Sequence, residues 1–158
     1  MTVWIDSDSC PAAVREISGE TVAGLMASGK PINAVYVANR SIPIPSLPGL
    51  SFYQSSSEKE SADDYIVKSV LPGDLVLTKD FLLAERILSI NITAMNFDGR
   101  VFELNWLKKR IEERNMMAIL YNSGSINRYR KKSRSDSKNR EFSLSFSQEI
   151  DKILRQGE

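Results

Sequence analysis

The sequence predicts an α/β fold, a three-layer domain with a mostly parallel central sheet of about five strands and helices on both faces. Three observations predict it. Short apolar runs alternate with stretches whose apolar residues recur at helical spacing. Prolines and glycines punctuate the boundaries between them. The length of 158 residues suits one domain with a real core.

Val3 to Asp6 reads as a strand. Pro11 suits the first turn of a helix that carries Val14, Ile17, Val22 and Leu25 and ends near Gly29. Ile32 to Ala38 reads as the second strand, and three prolines between Arg40 and Gly49 impose a loop. Leu50 to Gln54 is a third, weaker strand. Ser57 and Glu60 resemble a capping box for a helix with Ala62, Tyr65, Ile66, Ser69 and Val70 on one face. Pro72 and Gly73 end that helix. Leu75 to Thr78 is the fourth strand, Phe81 to Ser89 a helix, and Ile90 to Met95 the fifth strand. Asp98 and Gly99 make a tight turn before a long helix from Trp106 to Tyr121. The α/β domain therefore occupies residues 1–122. Residues 123–142 read as a basic loop, with disorder as an open alternative. Residues 143–158 read as a C-terminal amphipathic helix on the same domain, marked by Phe146, Ile150, Ile153 and Leu154.

Composition narrows the chemistry. The net charge is +1, so no overall field favours a polyanion or a membrane. From Ser123 to Glu141, however, Arg128, Arg130, Lys131, Lys132, Arg134, Lys138 and Arg140 stand against Asp136 and Glu141. Such a run is usually a solvated loop, and a nucleic-acid patch is the alternative. The single cysteine excludes an intrachain disulfide, in keeping with a reducing cytoplasm. The absence of histidine excludes Ser-His-Asp and Cys-His catalysis and disfavours a zinc site. No apolar run is long enough to span a bilayer. Together with the lack of a secretory leader pattern, this makes a cytoplasmic location the expectation.

Acid–base or metal chemistry must then rest on carboxylates and a few cations. Parallel sheets present their sites at the C-terminal strand ends. Asp6 stands at the end of the first strand and Asp80 just after the fourth. If the two strands are neighbours, both face one crevice. Clustered carboxylates repel, so they attract a cation or take up protons, and Mg²⁺ or Mn²⁺ suits an all-oxygen site. The competing reading makes Asp6 and Asp8 turn and cap residues, and a bare D-x-D does not decide between them. Helix geometry of about 100° per residue sets Asp63 beside the apolar face and Asp64 almost opposite, toward solvent. Asp74 belongs to the other pole of the sheet, where it reads as a turn residue after Pro72-Gly73, and Asp98 fits its turn. Arg110 and Arg114 share a helix face with Leu107, Ile111 and Ala118, where an arginine either snorkels or reaches a phosphate. Cys10 reads as a packed cysteine because no histidine base accompanies it.

Taken together, "WIDSDSCP" at 4–11, "VANR" at 37–40, Ala62-Asp63 with Ile66, "PGDLVLTKDFLLA" at 72–84 and the Arg110/Arg114 pair resemble the YaiI/YqxD family of small bacterial proteins. The resemblance runs from Val3 to about Gly124. It departs beyond the long helix, where the family usually carries Gly-Gly-Pro and this chain reads Ile126-Asn127-Arg128-Tyr129-Arg130. The family is similar to PIN-like nuclease domains. That likeness implies a PIN-like fold and divalent metal, Mg²⁺ or Mn²⁺, on Asp6, Asp63 and Asp80, with Asp8 as a fourth ligand.

Three functions compete. The first is a metal-dependent phosphodiesterase acting on RNA, with Asp6, Asp63 and Asp80 catalytic, Lys79, Arg110 and Arg114 on phosphate, and Arg128, Arg130, Lys131 and Lys132 along the strand. The second is a phosphohydrolase of the haloacid-dehalogenase type, with Asp6 as nucleophile, Asp8 as acid–base and Thr78 and Lys79 in support. Cys10 stands where that type has Thr or Val, and the acidic pair 63/64 precedes the threonine strand instead of following it. The third is a non-catalytic module that binds RNA or protein through residues 123–141.

Overall fold

The computed structural model describes residues 1–124 and 134–158. Its elements run β1 (Thr2–Asp6), α1 (Ala12–Ala27), β2 (Asn33–Ala38), β3 (Leu50–Gln54), α2 (Ser61–Ser69), β4 (Leu75–Leu77), α3 (Phe81–Ser89), β5 (Thr93–Met95), α4 (Leu104–Asn122) and α5 (Asp136–Gln156). The five strands form one sheet in the order β3-β2-β1-β4-β5, and every neighbouring pair is parallel. The expected α/β architecture is present, with β1 at the centre.

Two-residue alternation divides the sheet into two cores. Val3, Ile5, Ala34, Tyr36, Leu75 and Leu77 face one side. There they pack against Val14 and Val22 of α1 and Phe142, Phe146 and Ile150 of α5. Trp4, Val37, Val76 and Ala94 face the other side, against Ile66 of α2, Leu83 and Ile87 of α3 and Leu107 of α4. Burial on both faces explains why the strands read as continuous apolar runs. Gly19 lets α1 lie close to the sheet. A Cβ there would stand 2.8 Å from the Tyr36 hydroxyl and 2.9 Å from Leu50 and Pro45 side chains.

The structure corrects two local expectations. Ser57 and Glu60 form no capping box. Glu60 itself is the N-cap residue of α2, in the left-handed region at φ 65°, and its side chain accepts no capping hydrogen bond. The final helix also begins at Asp136 instead of 143. Ser135 caps it by accepting from the Lys138 N–H at 3.3 Å, and buried Phe142 stacks on Phe146 within it. Arg134, Lys138 and Arg140 give this segment a loop-like composition. Yet Arg134 donates to the Phe97 carbonyl and, at 3.1 Å, to Asp98, tying the start of α5 to the turn after β5. Arg128, Arg130, Lys131 and Lys132 lie outside the described residues.

At the N-terminal pole of the sheet, Asp74 is more than a turn residue. Its carboxylate is buried and accepts from Thr2 N–H (2.8 Å), Leu71 N–H (2.9 Å) and the Trp4 indole Nε1–H (3.0 Å). Hydrogen bonds to a charged acceptor contribute more than neutral ones, and removing it strands buried donors. We expect Asp74→Ala to cost about 3 kcal/mol in urea-induced unfolding. A loss below about 1 kcal/mol would show that this clamp contributes little.

Candidate functional site

Chain order reverses beside β1, whose neighbours are β2 on one side and β4 on the other. The crevice outside the carboxyl ends of strands at such a point is where open α/β sheets hold ligands. A cleft of about 1040 Å³ opens there. Asp6, Asp8, Asp63, Lys79 and Asp80 line it, as do Leu82 of α3 and Ile111, Arg114, Asn115, Met117 and Tyr121 of α4. Carboxylates from three separate stretches of the chain thus share one cavity.

Each is placed by local structure. Asp6 ends β1 and is 5% exposed. Its Oδ2 accepts from the Thr78 hydroxyl at 2.7 Å, across the β1–β4 pair. Thr78 Oγ1 in turn accepts from the Asp80 N–H at 3.0 Å, so one hydroxyl links two of the acidic positions. Asp80 is the N-cap of α3, its Oδ1 accepting from Leu82 N–H at 2.9 Å and Leu83 N–H at 3.4 Å. Asp8 accepts from Asn39 N–H with both oxygens, at 3.2 and 3.1 Å, and stands 3.8 Å from Arg40 Nε. It therefore joins the end of β1 to the end of β2. Asp63 reaches the cleft from the first turn of α2. Asp64 turns away to pair with Arg86 at 2.9 Å. Asp63 thus lines the cleft, while Asp64 is ion-paired and not the solvated charge expected.

Electrostatics distinguishes Asp6 and Asp63. Burial pushes the Asp6 carboxyl up from 3.8 to about 6; the Thr78 hydrogen bond opposes the rise, while Asp8 and Asp80 add to it. Asp63 rises to about 7, first through burial and then through the charges of Asp6 and Asp80, with Arg86 opposing. The two acids therefore share a site in which ionisation is costly. Cys10 is buried and its thiol is pushed up to about 12 by burial, which fits a packed cysteine and not a nucleophile. As the side chains lie, no three acidic or cysteine groups among the described residues converge on one point as a metal cage. Asp80 Oδ1 and both oxygens of Asp8 accept from backbone N–H groups.

Arg110 is not on the wall of the acidic cleft; it lines an adjoining cavity of about 350 Å³ with Phe81, Trp106, Glu113, Arg114 and Met117. Arg114 and Met117 line both cavities. Sequence reasoning missed Asn115 and Tyr121 as cleft residues. Their spacing from Ile111 and Ala118 was the available signal.

The shifts fix a pH dependence. An acid whose folded value lies above its unfolded 3.8 binds more protons folded than unfolded. Its destabilising effect therefore grows as pH rises from 3.8 through about 6 for Asp6 and about 7 for Asp63. Asp63→Asn should melt above the parent at about pH 8, by a margin that shrinks as pH falls toward about 4. Melting curves across that range provide the check, and a margin independent of pH would refute the assignment.

Comparison with known proteins identifies the family. The model of the family described as "Uncharacterized BCR, YaiI/YqxD family" matches residues 4–156. The chain is 36% identical over 122 residues to a UPF0178 protein of Xanthomonas oryzae pv. oryzae (strain PXO99A), covering 77% of this chain and 73% of that protein. It is 34% identical over 124 residues to a UPF0178 protein of Treponema pallidum (strain Nichols), covering 78% and 67%. It is 32% identical over 124 residues to one of Photobacterium profundum, covering 78% and 79%. No solved structure matches the chain. The chain belongs to the YaiI/YqxD family.

Proposed function

We propose that the cleft is the active site of a divalent-metal-dependent phosphodiesterase acting on RNA. The observation that carries this reading is the convergence of Asp6, Asp8, Asp63 and Asp80 on one cavity whose lining also includes Lys79 and Arg114. The donor set suits a hard cation. It is all oxygen, and its two raised acids gain from a nearby positive charge. Asp6 and Asp63 would hold Mg²⁺ or Mn²⁺. Asp80, which caps α3 through Oδ1 alone, would complete the set, and Asp8 would join it only by giving up an oxygen now held by the Asn39 N–H. A bound divalent cation supplies Lewis acidity toward a phosphoryl group. Thr78 positions Asp6, and Lys79 and Arg114 bring cationic groups to the charge of a phosphodiester. The similarity of the family to PIN-like nucleases points the same way.

The haloacid-dehalogenase-type reading needs Asp8 as a proton donor beside a nucleophilic Asp6. Here both oxygens of Asp8 accept from the Asn39 N–H, and Arg40 stands beside them. That arrangement ties Asp8 to the end of β2 and favours the first reading.

Thermal melts with Mn²⁺ and Mg²⁺ test the site. A cation at 100 times its dissociation constant adds about 2.7 kcal/mol, or several degrees for a domain of this size. We expect this shift in the parent protein and its loss in Asp6→Asn and in Asp80→Asn. RNA cleavage should disappear with it while both variants still unfold cooperatively. Cleavage retained by Asp80→Asn, or a covalent phosphoryl adduct on Asp6, would displace this reading.

A further inference from the structure

Beside the acidic cleft stands a group of rings and guanidinium groups of which the proposed chemistry uses Arg114 alone. Phe81 at the start of α3 meets Trp106 edge-on, with ring centroids 5.8 Å apart, and Phe102 closes the cluster. Three arginines lie over these rings. Arg100 from the turn before α4 is 3.9 Å from the Trp106 ring centroid. Arg110, one turn along α4 from Trp106, is 5.2 Å from the same ring. Arg114, one turn further, is 5.1 Å from Phe81. The smaller cavity lies on this shelf and meets the acidic cleft at Arg114 and Met117.

Two features argue that the shelf does more than cover the core. A guanidinium lying over a ring keeps its in-plane N–H donors available while its side chain is held in place. Such a cation loses less side-chain freedom on binding than one on a free stem. Second, the three are only lightly neutralised. Among the described residues their one ion pair is Arg110–Glu113, at 3.0 Å on the surface. An exposed i,i+3 pair of this kind exchanges readily for a stronger anion.

We propose that Arg100, Arg110 and Arg114, shelved on Trp106 and Phe81, form a phosphate-binding stripe that guides a nucleic-acid strand along α4 into the acidic cleft. The substrate class rests on the phosphodiesterase reading; the stripe itself rests on the ring and guanidinium geometry. Continuity of the two cavities at Arg114 favours a nucleic acid over an acidic protein partner, because a strand bound on the shelf leads directly to the carboxylates. Trp106 is a positioning residue in this scheme.

The test is binding of a fluorescent oligouridylate to the full chain in EDTA, across a series of KCl concentrations, so that neither metal nor cleavage contributes. Each phosphate contact to a single strand contributes about 0.7 to the slope of log affinity against log salt. Arg100→Gln combined with Arg110→Gln should weaken binding and flatten the slope by about 1.4. Trp106→Leu keeps the charges but removes their platform, so affinity should fall with the slope preserved. Both variants should retain the parent's melting response to Mn²⁺. An unchanged affinity and slope in the double arginine variant would overturn the stripe. So would a polyglutamate probe that binds as tightly and with the same dependence on these arginines, which would assign the shelf to acidic proteins. Absence of a Mn²⁺ response in the parent would instead count against the phosphodiesterase reading and leave the stripe standing.

Discussion

The hydrogen bond from Thr78 to Asp6 is the constraint on which the site depends. Parallel pairing of β1 with β4 brings the two strand ends together. That pairing alone would leave a carboxylate at the end of a central strand with nothing to accept in return for its lost water. The Thr78 hydroxyl supplies one donor, and its remaining lone pair accepts from the backbone of Asp80. A short polar chain thus runs from the centre of the sheet to the cap of α3. The price of this arrangement is visible in Asp6, whose acid form remains favoured well above the ordinary carboxylate range despite that donor. Natural sequences retain locally unfavourable features of this sort mainly where they serve a function.

Much of this was legible in the chain. The alternation of apolar runs and helical stretches led to the α/β sheet, because strands buried on both faces carry unbroken apolar sequence. The rule that parallel sheets place ligands at their carboxyl ends brought Asp6 and Asp80 to the same crevice before their pairing was known. Helix geometry singled out Asp63 for the cleft, but the pairing of Asp64 with Arg86 joins two helices and has no local signal.

What escaped the sequence has physical reasons. A left-handed Glu60 at the head of α2 contradicts the local capping signal, because the backbone conformation there is set by the surrounding turn and not by the side chain. The first turns of α5 were hidden by Arg134, Lys138 and Arg140, although the stacked Phe142 and Phe146 lie at helical spacing. Thr78 drew notice only in connection with a different chemistry, since its partnership with Asp6 spans 72 positions in the chain. The placement of Arg100 over Trp106 joins a turn to a helix through tertiary packing, for which periodicity offers no signal.

The two sides of the cleft differ in how they are anchored. Its floor stands on strand ends and the cap of α3, within the core. Its far wall is the second half of α4, where Met116, Met117, Ile119 and Tyr121 are all exposed and Leu107 is the one buried residue in the helix. Among the described residues this half of the helix buries no side chain fully, and helical segments so exposed lean more on their own backbone hydrogen bonds than on packing. The cavity therefore combines an acidic base set on the sheet with an apolar bank set on an exposed helix face, so its two sides rest on different parts of the fold.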